Sequence, residues 1–119
     1  MLAAMDAATQ IKTHHNAAET QFEIHDGEAV IGKAEYLEMP DSPQRVFFHT
    51  VVDDHYQGQG LAVRLAESAV AATVAAGRRV VPVCPFIAAY LRKHPEYADH
   101  ADEPTRDHHL AVRAAGGDD

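Results

Sequence analysis

The stretch Val46–Ala62, VFFHTVVDDHYQGQGLA, limits what this chain can fold into more than any other part of it. It opens as an apolar, β-branched and aromatic run, Val46 to Val52, the composition of a buried strand. Asp53 and Asp54 break the run, and Gln57-Gly58-Gln59-Gly60 follows. From Leu61 to Ala76 come sixteen residues rich in Ala, Leu and Val, the strongest helical candidate in the chain. The order is strand, glycine-punctuated turn, helix. Glycines there allow a tight turn with its amides exposed. The first helical turn adds unpaired N–H groups and the positive end of a dipole. Such a site suits a phosphate group, although two glycines before a helix are more often only a tight turn.

At 119 residues the chain is long enough for one domain with a real core and too short for two. A formal net charge of −8 and the lack of any basic stripe exclude nucleic acid as a natural partner. The single cysteine, Cys84, permits neither an internal disulfide nor a multi-cysteine metal site. The start of the chain has no basic region leading into a sustained apolar core, and no run of about twenty apolar residues occurs. The expectation is a soluble cytoplasmic protein without a membrane partner.

Along the chain, residues 1–19 are Ala-rich and polar, a short helix or a loose segment containing His14-His15. Adjacent histidines diverge on a helix or a strand, so they are a poor metal pair. Gln21–His25 alternates apolar and polar, Asp26-Gly27 is a strong hairpin signal, and Ala29–Leu37 returns. Gly32 within that return strand marks a bulge or a close approach. With Val46–Val52 these strands make an antiparallel meander. The helix that follows places Leu61, Leu65, Ala69 and Ala72 on one face, and Gly77 ends it. Val80–Cys84 reads as a short strand parallel to Val46–Val52, because a helix crosses between them. Pro82 cannot donate to a ladder, which argues against full pairing on both sides. Pro85 opens a second helix with Phe86, Ile87, Tyr90 and Leu91 along one stripe, stopped at His94-Pro95. Beyond about Ala98 the chain turns polar and acidic; His100, His108 and His109 are expected in a solvated tail that frays over Ala114–Asp119.

The succession of hairpin, strand, glycine turn, helix, strand and helix resembles the GNAT superfamily of N-acetyltransferases. Its pyrophosphate loop reads Gln/Arg-x-x-Gly-x-Gly/Ala, which Gln57-Gly58-Gln59-Gly60-Leu61-Ala62 satisfies at every specified position. The run from His49-Thr50 through Cys84-Pro85-Phe86 to Tyr90 and His94-Pro95-Glu96-Tyr97 is similar to the minimal, single-domain members, over roughly residues 21–99. The resemblance implies an α/β (α+β) GNAT-like mixed sheet: an antiparallel meander, then a splayed parallel strand pair, with two helices. It divides the chain into a segment 1–19, a GNAT-like acetyltransferase domain 20–99 and a polar tail 100–119.

The resemblance also implies acetyl-CoA as co-substrate and no metal. Amides from Gln57 to Ala62, including those of Gly58, Gln59, Gly60 and Leu61, would hold the pyrophosphate. The backbone of Thr50, Val51 and Val52 would bond the pantetheine arm, with Cys84, Pro85 and Tyr90 near its end. Direct attack by an amine needs a base, donors for the thioester carbonyl and an acid for the thiolate. Tyr90 lies where family members often carry a tyrosine acid, and is otherwise a core aromatic. His49, expected to share a face with Phe47, is the candidate base or else a core histidine. Related sequences often place a carboxylate two positions after this histidine, where this chain has Val51. Cys84 reads as a nucleophile carrying the acyl group, a pocket-lining thiol or plain packing; the first would need a base, which His49 would supply if it approaches. The reading is an acetyl-CoA-dependent N-acetyltransferase with an unidentified amine acceptor, whether small molecule, peptide or protein. The alternative is a non-catalytic acyl-CoA-binding module. A metal-binding role for the nine histidines is the weakest, because they are scattered without a repeated spacing.

Overall fold

Among the described residues five strands form a single sheet in chain order. The computed structural model describes residues 10–117. Strands β1 (Ile11–Asn16), β2 (Gln21–Asp26), β3 (Ala29–Glu38) and β4 (Gln44–Val52) are antiparallel neighbours, and β5 (Arg79–Pro82) runs parallel to β4. Between β4 and β5 lies helix α1 (Leu61–Ala75), whose crossover forces the parallel orientation. Helices α2 (Pro85–Arg92) and α3 (Arg106–Ala114) follow. Gly27, at φ +61°, makes the turn between β2 and β3, as Asp26-Gly27 predicts. Gly77, at φ +74°, ends α1.

The sheet buries both faces unequally. On one, Phe22, Ile24, Tyr36 and Phe47 pack against Leu61, Leu65, Ala69 and Val70 of α1 and Ile87 of α2. On the other, Val46 and Val81 lie beneath Val112 of α3, with Phe48 and Leu37 at the margin. Two bulges break the alternation. β2–β3 pairing slips so that Ile31 is the extra residue, and β3–β4 pairing slips so that Phe48 is. Gly32 beside the first bulge is also a close approach: a Cβ there would stand 2.9 Å from Ile24 Cγ2 and from the Val51 carbonyl oxygen. The alternatives read from Gly32 are thus both realised.

The two ends of the described chain correct the sequence reading. Residues 11–16 are neither helix nor loose segment but the edge strand β1, held because His15 stacks on Phe22 at 4.0 Å and bonds the Tyr36 hydroxyl at 2.7 Å. Residues 1–9 lie outside the described residues. At the other end, the expected solvated tail contains α3. Thr105 and His108 form a capping box at its start, and His108 is only 4% exposed. The Thr105 amide donates to His108 Nδ1 at 2.9 Å, which leaves the proton on Nε2, 2.9 Å from Gln44 Oε1. Gln44 Nε2 donates in turn to Asp102 Oδ2, which Arg79 also holds at 2.9 Å. Gly116, at φ +86°, closes the helix: its amide bonds the Arg113 carbonyl and that of Gly117 bonds the Val112 carbonyl. His100 stays exposed.

Candidate functional site

The turn between β4 and α1 is built for open amides. Gly58 and Gly60 have φ of +82° and +73°, and a Cβ at either would meet nothing within 4 Å. Gly60 is the N-cap of α1 and makes no side-chain cap, so no cap side chain takes the helix's first amides. Gln57, Gly58, Gln59 and Gly60 are exposed, Ala62 is half-buried, and Leu61 buries its side chain in the core, leaving its amide for any ligand. Gln57 has a second use that its place in the motif does not announce: its Nε2 donates to the Val52 carbonyl at 2.8 Å, tying the turn to the end of β4. The Tyr56 hydroxyl donates to Asp26 Oδ2, which pushes the phenol's pKa up and ties the turn to the β2–β3 hairpin.

The parallel strands are joined for only part of their length. Pairing runs from Gln44–Arg79 to Phe47–Pro82, and one more bond follows, from the Cys84 amide to the Phe47 carbonyl at 2.8 Å. β4 continues to Val52 while the chain after Pro82 turns away into α2. Among the described residues no strand pairs with 48–52 on that side. A wedge therefore opens there, with the glycine turn at its wide end. Cys84 sits one residue beyond Val83 as the N-cap of α2, outside the strand in which the sequence reading put it, and Pro85 follows at the first helical position.

The bulge at Phe48 overturns one expectation. Two-residue alternation puts His49 on the face of Phe47, but the extra residue flips it. Thr50 points toward the α1–α2 side, where the buried Cys84 thiol donates to its Oγ1 at 3.4 Å. His49, exposed, points to the opposite side of the sheet. The structure thus brings Thr50 and Cys84 together and keeps His49 apart from both. Val51 is 43% exposed, and Val52 is buried.

Tyr90 lies in the α1–α2 core, stacked on His94 at 4.1 Å. Burial, then the neighbouring Tyr97, Glu67 and Glu96, pushes its pKa up, so the phenol keeps its proton at neutral pH. Beside it a narrow cleft of about 90 Å³ is walled by Val63 at the start of α1 and by Phe86, Ala89, Lys93 and His94. Lys93 escaped the sequence reading because a cation after a helix reads as dipole compensation.

On the opposite face, a cleft of about 270 Å³ is lined by Glu35, Phe48, His49 and Ala115–Gly117. Glu35 pairs directly opposite His49 across β3–β4. Its place in the cleft is not legible in the chain, where it is one outward residue of an alternating strand. Among the described residues no cluster of His, Cys, Asp and Glu could hold a metal, and no helix is long and apolar enough to cross a membrane.

Comparison with known proteins bears on the family and the fold. A family model described as GCN5-related N-acetyl-transferase matches residues 21–100. No curated protein matches the chain. The solution structure of a GCN5-like protein from Staphylococcus aureus superposes with a TM-score of 0.61 at 24% identity, covering 85% of this chain and 97% of that one. That likeness concerns the fold. An IAA acetyltransferase from Bacillus cereus covers 66% of this chain and 47% of its own, with 20% identity and a TM-score of 0.44, too low to argue from.

Proposed function

The chain belongs to the GCN5-related N-acetyltransferase family, and on that premise we propose that it binds acetyl-CoA and passes the acetyl group to an amine. The observation that carries this reading is the parallel pair that closes at Phe47–Pro82 and opens beyond it, in front of a glycine turn with exposed amides. The space beside Gly58 and Gly60 suits a close approach by a pyrophosphate, which amides of residues 58–62 would hold at the positive end of α1. Lys93, in the cleft beside Val63, would add a cation for a phosphate. The unpaired edge at Thr50–Val52 would bond the amides of the pantetheine arm as a strand neighbour would.

Bound acetyl-CoA supplies a thioester, an activated acyl group. His49 takes the proton of the attacking amine, which must be neutral for its lone pair to form the new N–C bond. As the C–S bond breaks, the departing thiolate takes a proton, for which Tyr90 is the candidate donor. Cys84 makes its one side-chain hydrogen bond among the described residues to Thr50, with His49 across the sheet, which favours direct transfer over an acyl-enzyme route.

Calorimetric titration of the purified protein with acetyl-CoA, CoA and ATP tests the reading. Acetyl-CoA and CoA should bind and ATP should not. Gly60→Val, which forces a β-branched residue into φ +73° at the turn, should weaken acetyl-CoA binding by about tenfold or more. Failure of acetyl-CoA to bind overturns the proposal. Binding without turnover on a broad amine panel leaves an acyl-CoA-binding module instead.

A further inference from the structure

We propose that the cleft between the β3–β4 bulge and the end of α3 is the acceptor subsite and that it takes a short aliphatic diamine, with Glu35 holding the ammonium that does not react. This deepens the acetyl-transfer reading and rests on it for the chemistry, though not for the binding.

The side from which an acceptor arrives follows from the packing. On the α1–α2 side of β4, core side chains and Cys84 fill the space behind Thr50. On the other side the cleft beside His49 is open at about 270 Å³. That is below the roughly 300–1,000 Å³ of pockets for drug-sized ligands, room for a short flexible chain rather than a bulky one. Its walls differ in kind. Phe48 offers an apolar ring to methylene groups, and His49 offers the base. Glu35 is the only carboxylate among the described residues lining it. The third side is the turn Ala115–Gly117 that closes α3. A carboxylate and an aromatic ring lining one small cleft select a cation with a hydrocarbon chain.

A monoamine does not satisfy both polar groups. An amine paired with Glu35 as an ammonium is held in the charged form, which cannot attack. Glu35 and His49 are directly opposed in register, which puts their Cβ atoms about 4.5–5.5 Å apart. A short diamine reaches both. One nitrogen gives its proton to His49, forms the N–C bond as the C–S bond breaks, and leaves CoA to take a proton as the free thiol. The other stays an ammonium at Glu35, which is therefore a positioning residue. In the free protein Lys33 Nζ stands in for it, 3.6 Å from Glu35 Oε2, with the Lys33 side chain 41% exposed. A pair that long and that solvated is weak, and a second ammonium displaces it.

The test is an NMR titration of the full-length ¹⁵N-labelled protein with 1,4-diaminobutane, n-butylamine and a blocked lysine tripeptide, without acetyl-CoA. The Gly116 and Gly117 amides and the His49 ring should shift with the diamine, which should bind about tenfold more tightly than butylamine. Glu35→Gln, close in shape, should erase that preference. Lys33→Met, which removes the competing cation, should tighten diamine binding a few-fold. Equal binding of the two amines, shifts outside the cleft, an unaffected Glu35→Gln protein, or tighter binding of the tripeptide would each overturn the proposal. Because acetyl-CoA is absent, this result is separate from the calorimetry: loss of acetyl-CoA binding sinks the transfer reading, whereas loss of diamine preference sinks only the subsite.

Discussion

His49 and Thr50 are adjacent in sequence yet serve opposite sides of the sheet, because Phe48 is one residue too many for its partner strand. A period-two pattern read from sequence has no way to register an inserted residue, since the bulge is a property of two paired strands. That is why alternation alone puts His49 on the face of Phe47, from which it could approach Cys84. Two kinetic outcomes belong to this scale. His49→Gln should lower kcat by about 10²–10⁴-fold, the usual worth of a positioned general base, with acetyl-CoA affinity unchanged. Cys84→Ala should keep most of the turnover, and intact mass after incubation with acetyl-CoA should show no acetyl adduct on Cys84. The glycine turn, by contrast, was legible residue by residue. Gly58 and Gly60 carry positive φ because only glycine takes that conformation without strain, so the motif and its geometry are the same fact.

Helix α3 shows where reading an element from composition fails. Its stretch is short and polar on average, and it buries mainly Val112 and His108, too narrow a stripe to reveal a helical period. The signals present were the caps: Thr105 before it, and Gly116 after it in the left-handed region. Gly116→Ala should cost about 1 kcal/mol of stability through that φ, measured by denaturant unfolding. Gly117→Ala should cost more, about 1–3 kcal/mol, because a Cβ would stand 2.9 Å from Val112 Cγ1 and 3.0 Å from Phe48 Cδ1 in a packed contact. Strand β1 was missed for a related reason. Its inward positions are Ile11, Thr13 and His15, of which only Ile11 is apolar, and His15 is held by a stack and a hydroxyl. The elements with apolar periods, from β2 through α2, were placed to within a few residues.

The whole molecule should lose stability in acid in two stages. Partial desolvation of the ring where it stacks on Phe22, and then Arg45, pushes the pKa of His15 below its ordinary 6.5; the residue is otherwise exposed, so the first decline is small. The contribution of its neutral ring is complete above pH 6.5 and declines as pH falls through the lowered folded value. Asp102 is held below its ordinary 3.8 by the Gln44 amide and by Arg79, so its contribution persists until pH falls below that value. Thermal melts across this range should show both declines, and His15→Phe, which keeps a ring on Phe22, should flatten the first. The bulge in β4 has a consequence at this scale as well. If the nucleotide-bearing reactant enters through the wedge and the amine reaches the same strand from the far side, neither blocks the other's path, and both must be present before anything leaves. Double-reciprocal plots of initial velocity should therefore intersect rather than run parallel. A non-reactive CoA analogue should compete with one reactant and not with the other.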